Sequence, residues 1–145
     1  MSEEEMEASD ISFKDEIVKA QKAVEAEEWE RVVEIFSSNN TTLLFAPFDL
    51  VKNTAIHVIA RSGNKQCLKE LLQMLPKEMQ IKALKMPNYE ENTPLHEAVF
   101  SHDDPKMVDL IIGFMPSRRD IEELLEMTNK ENETAAFRAA RYGRL

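Results

Sequence analysis

The sequence is poor in the residues that staple, break or redirect a chain. Its single cysteine, Cys67, excludes an internal disulfide framework and fits a reducing compartment. Three glycines and six prolines in 145 residues leave little turn material for an all-β fold. No apolar run approaches the ~18 residues of a membrane span, and the opening MSEEEMEASD is too acidic for a signal or transit peptide. No glycine-rich phosphate loop, nucleophile elbow, CxxC or HExxH is present. The reading is therefore a non-enzyme with no catalytic residue, no metal and no cofactor, cytoplasmic or nuclear by default.

Basic surface is also scarce. Residues 1–50 carry thirteen Asp/Glu against four Lys/Arg, a difference of −9, and residues 51–145 carry fourteen of each. All of the net charge of −9 thus sits in the first third. Nucleic acid, which needs a concentrated basic surface, is excluded as the main partner, and an anionic membrane surface is disfavoured for that part.

What is abundant favours helix. The chain is 43% hydrophobic and 31% charged, a folded rather than disordered composition, and rich in Met, Leu, Glu, Lys and Ala. The expected fold class is all-α. Residues 1–12 read as a flexible acidic lead-in, with Ser12 and Asp15 as a helix start. Residues 13–40 then form a helical hairpin, in which WERVVEIFSS supplies the second apolar face through Trp29, Val32, Val33 and Phe36. NNTTLLFAPFDLVK reads as a loop, with Pro47 blocking helix.

Two histidines flanked by carboxylates, His96-Glu97 and His102-Asp103-Asp104, resemble the start of a metal or acid/base site. Internal comparison points elsewhere. NTAIHVIARSGNKQCLKELLQMLP aligns with NTPLHEAVFSHDDPKMVDLIIGFMP, and a third copy begins ETAAFRAARYGRL. Thr54, Thr93 and Thr134 anchor the copies, 39 and 41 positions apart. Each full copy reads as a threonine cap, a short helix, a break (Gly63 in one copy) and a second helix. Units of this length stack into a solenoid.

Thr93-Pro94-Leu95-His96 with Ala98 resembles the ankyrin-repeat signature, Thr54-Ala55-Ile56-His57 with Ala60 is a variant, and Thr134-Ala135-Ala136-Phe137 is a weaker copy without the histidine. The resemblance implies an ankyrin-repeat solenoid over residues 13–145, with repeats from about 49, 88 and 129 and the last one incomplete at Leu145, as expected of a piece of a longer protein or of an atypical short member. The spacing exceeds the ~33 residues of the usual unit. The surplus falls after the second helix, where Pro76 and Pro116 mark the start of an extra short helix. In this the chain resembles plant ankyrin proteins, many of which carry a C-terminal membrane domain and act in defence or stress signalling.

The resemblance assigns roles residue by residue. Thr54 with His57 and Thr93 with His96 become structural latches that tie adjacent repeats together. The turn tips and first helices become a concave face that binds a protein or peptide. Its expected residues are Lys52, Asn53, Val58, Arg61, Ser62, Glu90, Glu91, Glu97, Phe100, Ser101, Arg138, Arg141 and Tyr142, with Lys130-Glu131 at the third tip. Phe100 is either an anchor or packs under a neighbouring repeat. The alternative function is a self-associating or autoinhibitory module that pairs through its C-terminal end. Asp103 or Asp104 before Pro105 reads as a helix cap, with a weak cation site as the alternative. Cys67, beside Leu68 and Leu71, reads as a small buried hydrophobe. The family carries glycine two residues before the threonine, where this chain has Lys52, Glu91 and Asn132. Because only asparagine takes positive φ readily, the first two tips are expected to be looser or to use another turn type.

Overall fold

The computed structural model describes residues 3–38, 41–99 and 105–141, with side chains from Lys14 onward. Nine helices lie in the described residues: α1 (Glu3–Glu25), α2 (Trp29–Ser38), α3 (Ala55–Ser62), α4 (Lys65–Gln73), α5 (Lys77–Lys85), α6 (Pro94–Ala98), α7 (Lys106–Gly113), α8 (Arg118–Glu126) and α9 (Ala135–Arg141). No strand occurs among them. The lead-in expected over residues 1–12 is helical from Glu3, so Ser12 lies inside α1 rather than starting it. Glu, Met and Ala are good helix formers and acidic residues suit a first turn, which explains the longer helix.

The helix boundaries follow local chemistry. Glu27, at φ 57°, closes α1: its N–H meets Val24 O at 3.0 Å and the Glu28 N–H meets Ala23 O at 2.9 Å. Gly63, at φ 83°, ends α3, and Asn64 then caps α4 by accepting from Cys67 N at 2.9 Å. Ser117 caps α8 in the same manner, accepting from Asp120 N at 3.1 Å. The apolar stretch after α2 is not an open loop. Thr41–Phe45 forms a 3-10 turn because Leu43 and Leu44 are fully buried and pull the backbone onto the core.

The helices stack in columns. The first helices α3, α6 and α9 pack in sequence, and so do α2, α4 and α7. Alanines 55, 60, 98, 135 and 139 are buried and let the first helices approach closely. Phe36, Ile56, Ile59, Leu68, Leu71, Leu95, Met107 and Ile111 fill one continuous core between the columns. The outer helices are tied by charge, with Lys85 Nζ at 3.0 Å from Glu123 and 3.6 Å from Asp120 across α5 and α8. Cys67 is buried, which pushes its thiol up to about 12 and leaves it unreactive at neutral pH. No described helix is long and apolar enough to cross a membrane.

Candidate functional site

Three short turns precede the first helices, and each is built from an Asx residue. Asp49, Asn88 and Asn129 accept, through Oδ1, from the N–H groups two and four residues on, at 3.0–3.1 Å. Each turn closes with a second pair of backbone bonds: Asn88 N to Asn92 O at 3.0 Å and Glu91 N to Asn88 O at 2.9 Å in the second, the equivalent pair in the third, and Phe48 N to Asn53 O at 2.6 Å with Lys52 N to Asp49 O at 3.2 Å in the first. This frame forces the residue at the tip into left-handed backbone: Lys52 at φ 58°, Glu91 at 61° and Asn132 at 59°. The first two tips are therefore not looser and use the same turn as the third. Four turn bonds per tip outweigh the roughly 1–2 kcal/mol that a side chain costs in that region. Lys52→Gly and Glu91→Gly are expected to raise the unfolding free energy by about 0.5–1 kcal/mol each, in urea titrations, since relief of strain exceeds the added freedom of the unfolded chain.

The tips are fastened to one another. Tyr89 N donates to Val51 O at 2.9 Å and Lys130 N to Glu90 O at 3.0 Å. Beneath them runs a ladder of amides, Asn88 Nδ2 to the partly buried Asn53 Oδ1 at 2.8 Å and the buried pair Asn129 Nδ2 to Asn92 Oδ1 at 2.9 Å.

His57 and His96 sit under this row and are fully buried. Thr54 N donates to His57 Nδ1 at 3.0 Å, so Nδ1 is the acceptor and Nε2 carries the proton. Nε2 donates to Asn92 O in the next unit at 3.0 Å. Thr93 and His96 repeat the arrangement, with Nε2 donating to Glu133 O at 2.9 Å. Burial is the largest influence on both rings and holds their pKa values below the ordinary 6.5, despite the accepting carbonyls. With both nitrogens committed and the ring out of contact with water, neither histidine is placed for chemistry. Among the described residues no three His, Cys, Asp or Glu side chains converge on a metal position.

The sequence-derived surface is divided by the structure. Lys52, Arg61, Ser62, Glu90, Glu91 and Arg141 are exposed, Asn53, Val58 and Arg138 are partly buried, and Val58 packs on the core. Glu97 is not a surface residue. It is 4% exposed and holds Arg61 Nη1 at 3.2 Å and Asn88 Nδ2 at 3.3 Å, because α6 lies between two neighbouring first helices. Arg138 reaches Asn92 Oδ1 at 2.7 Å, and Arg141 reaches Glu131 and Glu133 at 2.9 and 2.8 Å. The two arginine contacts to Glu133 and Asn92 brace the third unit, and the Glu133 carboxyl is held below the usual range chiefly by Arg141. Phe100, Ser101 and Tyr142, with the expected cap at Asp103 or Asp104, lie outside the described residues.

Three apolar tip residues escaped the sequence reading. Leu50 is 101% exposed, Val51 47% and Tyr89 55%, with Lys130 Nζ 3.9 Å from the centroid of the Tyr89 ring. A signal was available: counting five residues back from each anchor threonine gives Asp49, Asn88 and Asn129, and the tips then begin at Leu50, Tyr89 and Lys130. A cleft of about 190 Å³ opens between the second and third tips, lined by Glu90, Asn92, Asn129, Glu131, Glu133 and Arg138.

Comparison with known proteins agrees with this geometry. The family model described as ankyrin repeats, in three copies, matches residues 16–120. The solved structure of the yeast ribosomal protein Rps3 in complex with its chaperone Yar1 matches with a TM-score of 0.71. The match has 20% identity and covers 92% of this chain and 85% of that one. At that identity the likeness concerns the fold. No match is found among curated proteins.

Proposed function

Because the chain belongs to the ankyrin-repeat family, we propose that it is a protein-interaction scaffold whose row of turn tips is the binding surface. The observation that carries this reading is the rigid display of Leu50, Val51 and Tyr89: large apolar groups, exposed, on backbone that is hydrogen-bonded from tip to tip. Such groups contribute nothing to the core. A tyrosine on a preorganised frame loses little entropy when a partner covers it, and this residue type often dominates interface energy. Arg61, Ser62 and Arg141 extend the surface along the first helices, and the polar cleft beside Glu90 gives it specificity. The long spacing between anchor threonines and the outer helices α5 and α8 support a plant-type scaffold in defence or stress signalling.

The test is affinity capture from a plant extract with wild type and Tyr89→Ala, both checked for equal thermal stability. The variant should lose proteins that the wild type retains. Identical captured sets would place the binding surface elsewhere. A second reading, self-association through the third unit, draws on Phe137 and Leu125, which are 60% and 40% exposed. Sedimentation that shows a concentration-dependent dimer, abolished by Phe137→Ser, would favour it.

A further inference from the structure

The three tips share one frame, and their differences define what each edge accepts. In the second and third tips, the residue after the opening asparagine donates its N–H to the preceding tip, as Tyr89 does to Val51 O and Lys130 to Glu90 O. The opening asparagines donate as well, through Nδ2, to Asn53 Oδ1 and Asn92 Oδ1. Among the described residues no tip precedes the first one. Its equivalent amide, Leu50 N–H, meets no acceptor among the described residues, and the Leu50 side chain is fully exposed. Its opening residue is Asp49, exposed, which keeps the two turn bonds on Oδ1 and accepts a third from Asn53 Nδ2 on Oδ2 at 2.9 Å, but has no side-chain N–H to give outward.

That exchange of aspartate for asparagine changes which neighbour fits. Another tip would set an amide oxygen, of the kind Asn53 and Asn92 offer, against the Asp49 carboxylate. Two acceptors face to face exclude each other. A cationic side chain fits instead, while the open amide takes a carbonyl and Leu50 takes an apolar group. An extended segment presents a carbonyl along its edge and, on one face, two side chains that are two residues apart.

We propose that the outer edge of the first tip binds an extended, basic segment of a protein partner through one backbone hydrogen bond and two side-chain contacts. A partner carbonyl accepts from Leu50 N–H, a Lys or Arg pairs with Asp49, and the apolar residue two places away covers Leu50. Charge complementarity selects this occupant: the edge itself carries the exposed Asp49 carboxylate, and the first 50 residues of the sequence hold the entire excess of −9. The inference rests on the reading of the molecule as a protein-binding scaffold but uses a different edge from Tyr89.

The probe is a short fluorescent peptide of alternating Lys and Val, with a Glu–Val twin, titrated by anisotropy against the full chain at low salt. The variants are Asp49→Asn, Leu50→Pro and Leu50→Ala, each with a thermal melt. Proline removes the amide yet suits the turn, because Leu50 is its second residue and Lys52 N closes it on Asp49 O at 3.2 Å. The Lys–Val peptide should bind and the Glu–Val twin should not. Asp49→Asn and Leu50→Pro should each weaken binding about tenfold, the equivalent of one lost charged or backbone contact. Leu50→Ala, which keeps the amide, should weaken it less than Leu50→Pro does. Wild-type affinity in both Asp49→Asn and Leu50→Pro, or equal binding of the two peptides, would overturn the proposal. Loss of captured proteins in Tyr89→Ala, with unchanged peptide binding by Asp49→Asn, would remove this edge and leave the tip row intact. The opposite pair of results would remove the row and keep the edge.

Discussion

Replacement of His57 by alanine lowers the unfolding free energy by about 3 kcal/mol. The imidazole bridges two units, taking a hydrogen bond from Thr54 N and giving one to Asn92 O, in a position with no exposed surface. Its removal strands a buried donor and a buried acceptor at roughly 1–3 kcal/mol each, less whatever water the new cavity admits. It also deletes packing between α3 and α6, which lie against each other. Thr54→Val, which retains shape and loses only the hydroxyl, should cost about 1 kcal/mol and so calibrates the scale. Urea unfolding followed by circular dichroism measures both. Against a typical stability of about 5–15 kcal/mol, the loss at His57 alone brings a small repeat domain close to unfolding at body temperature.

Acid should destabilise the protein before its carboxylates begin to protonate. His57 and His96 are neutral in the folded state, with pKa values lowered mainly by burial, whereas in the unfolded chain they titrate near 6.5. Below that pH the unfolded state binds the extra protons. The stability they confer is therefore complete above about 6.5 and is lost as pH falls towards the folded values. While both are in this window, the slope approaches about 2.7 kcal/mol per pH unit, twice the value for one group. Glu123 and Glu133, with carboxyls held below the usual 4.5 mainly by Lys85 and Arg141, add their loss only at lower pH. Urea midpoints measured from pH 7.5 to 4.5 test this. His57→Gln, which can still donate to Asn92 O, should halve the slope. An unchanged slope would show that the histidines do not titrate in the unfolding equilibrium.

Much of this architecture was legible in one sequence because it is written three times. The anchor threonines, with histidine three positions on, set the register of the first helices and located the latches, while Gly63 and Pro76 marked breaks that depend on one residue's own backbone. Other features depend on neighbours. The left-handed tips at Lys52 and Glu91 contradict residue preference and exist only because Asp49 and Asn88 hold two amides each. Glu97 looked like surface because glutamate usually is. Its burial comes from Arg61 in the previous unit and Asn88 beneath it, contacts 36 and 9 residues away. Leu50 and Tyr89 were missed for the converse reason: large apolar residues are expected inside, and only the tip geometry turns them outward.

Site-directed photo-crosslinking tests most directly whether a partner docks on the tips. A benzophenone amino acid at position 89, on the second tip, is compared with one at exposed position 69 on α4, in plant extract under identical illumination. Adducts from position 89 and none from position 69 are predicted. Adducts from position 69 alone would contradict the assignment of the tip row as the binding surface.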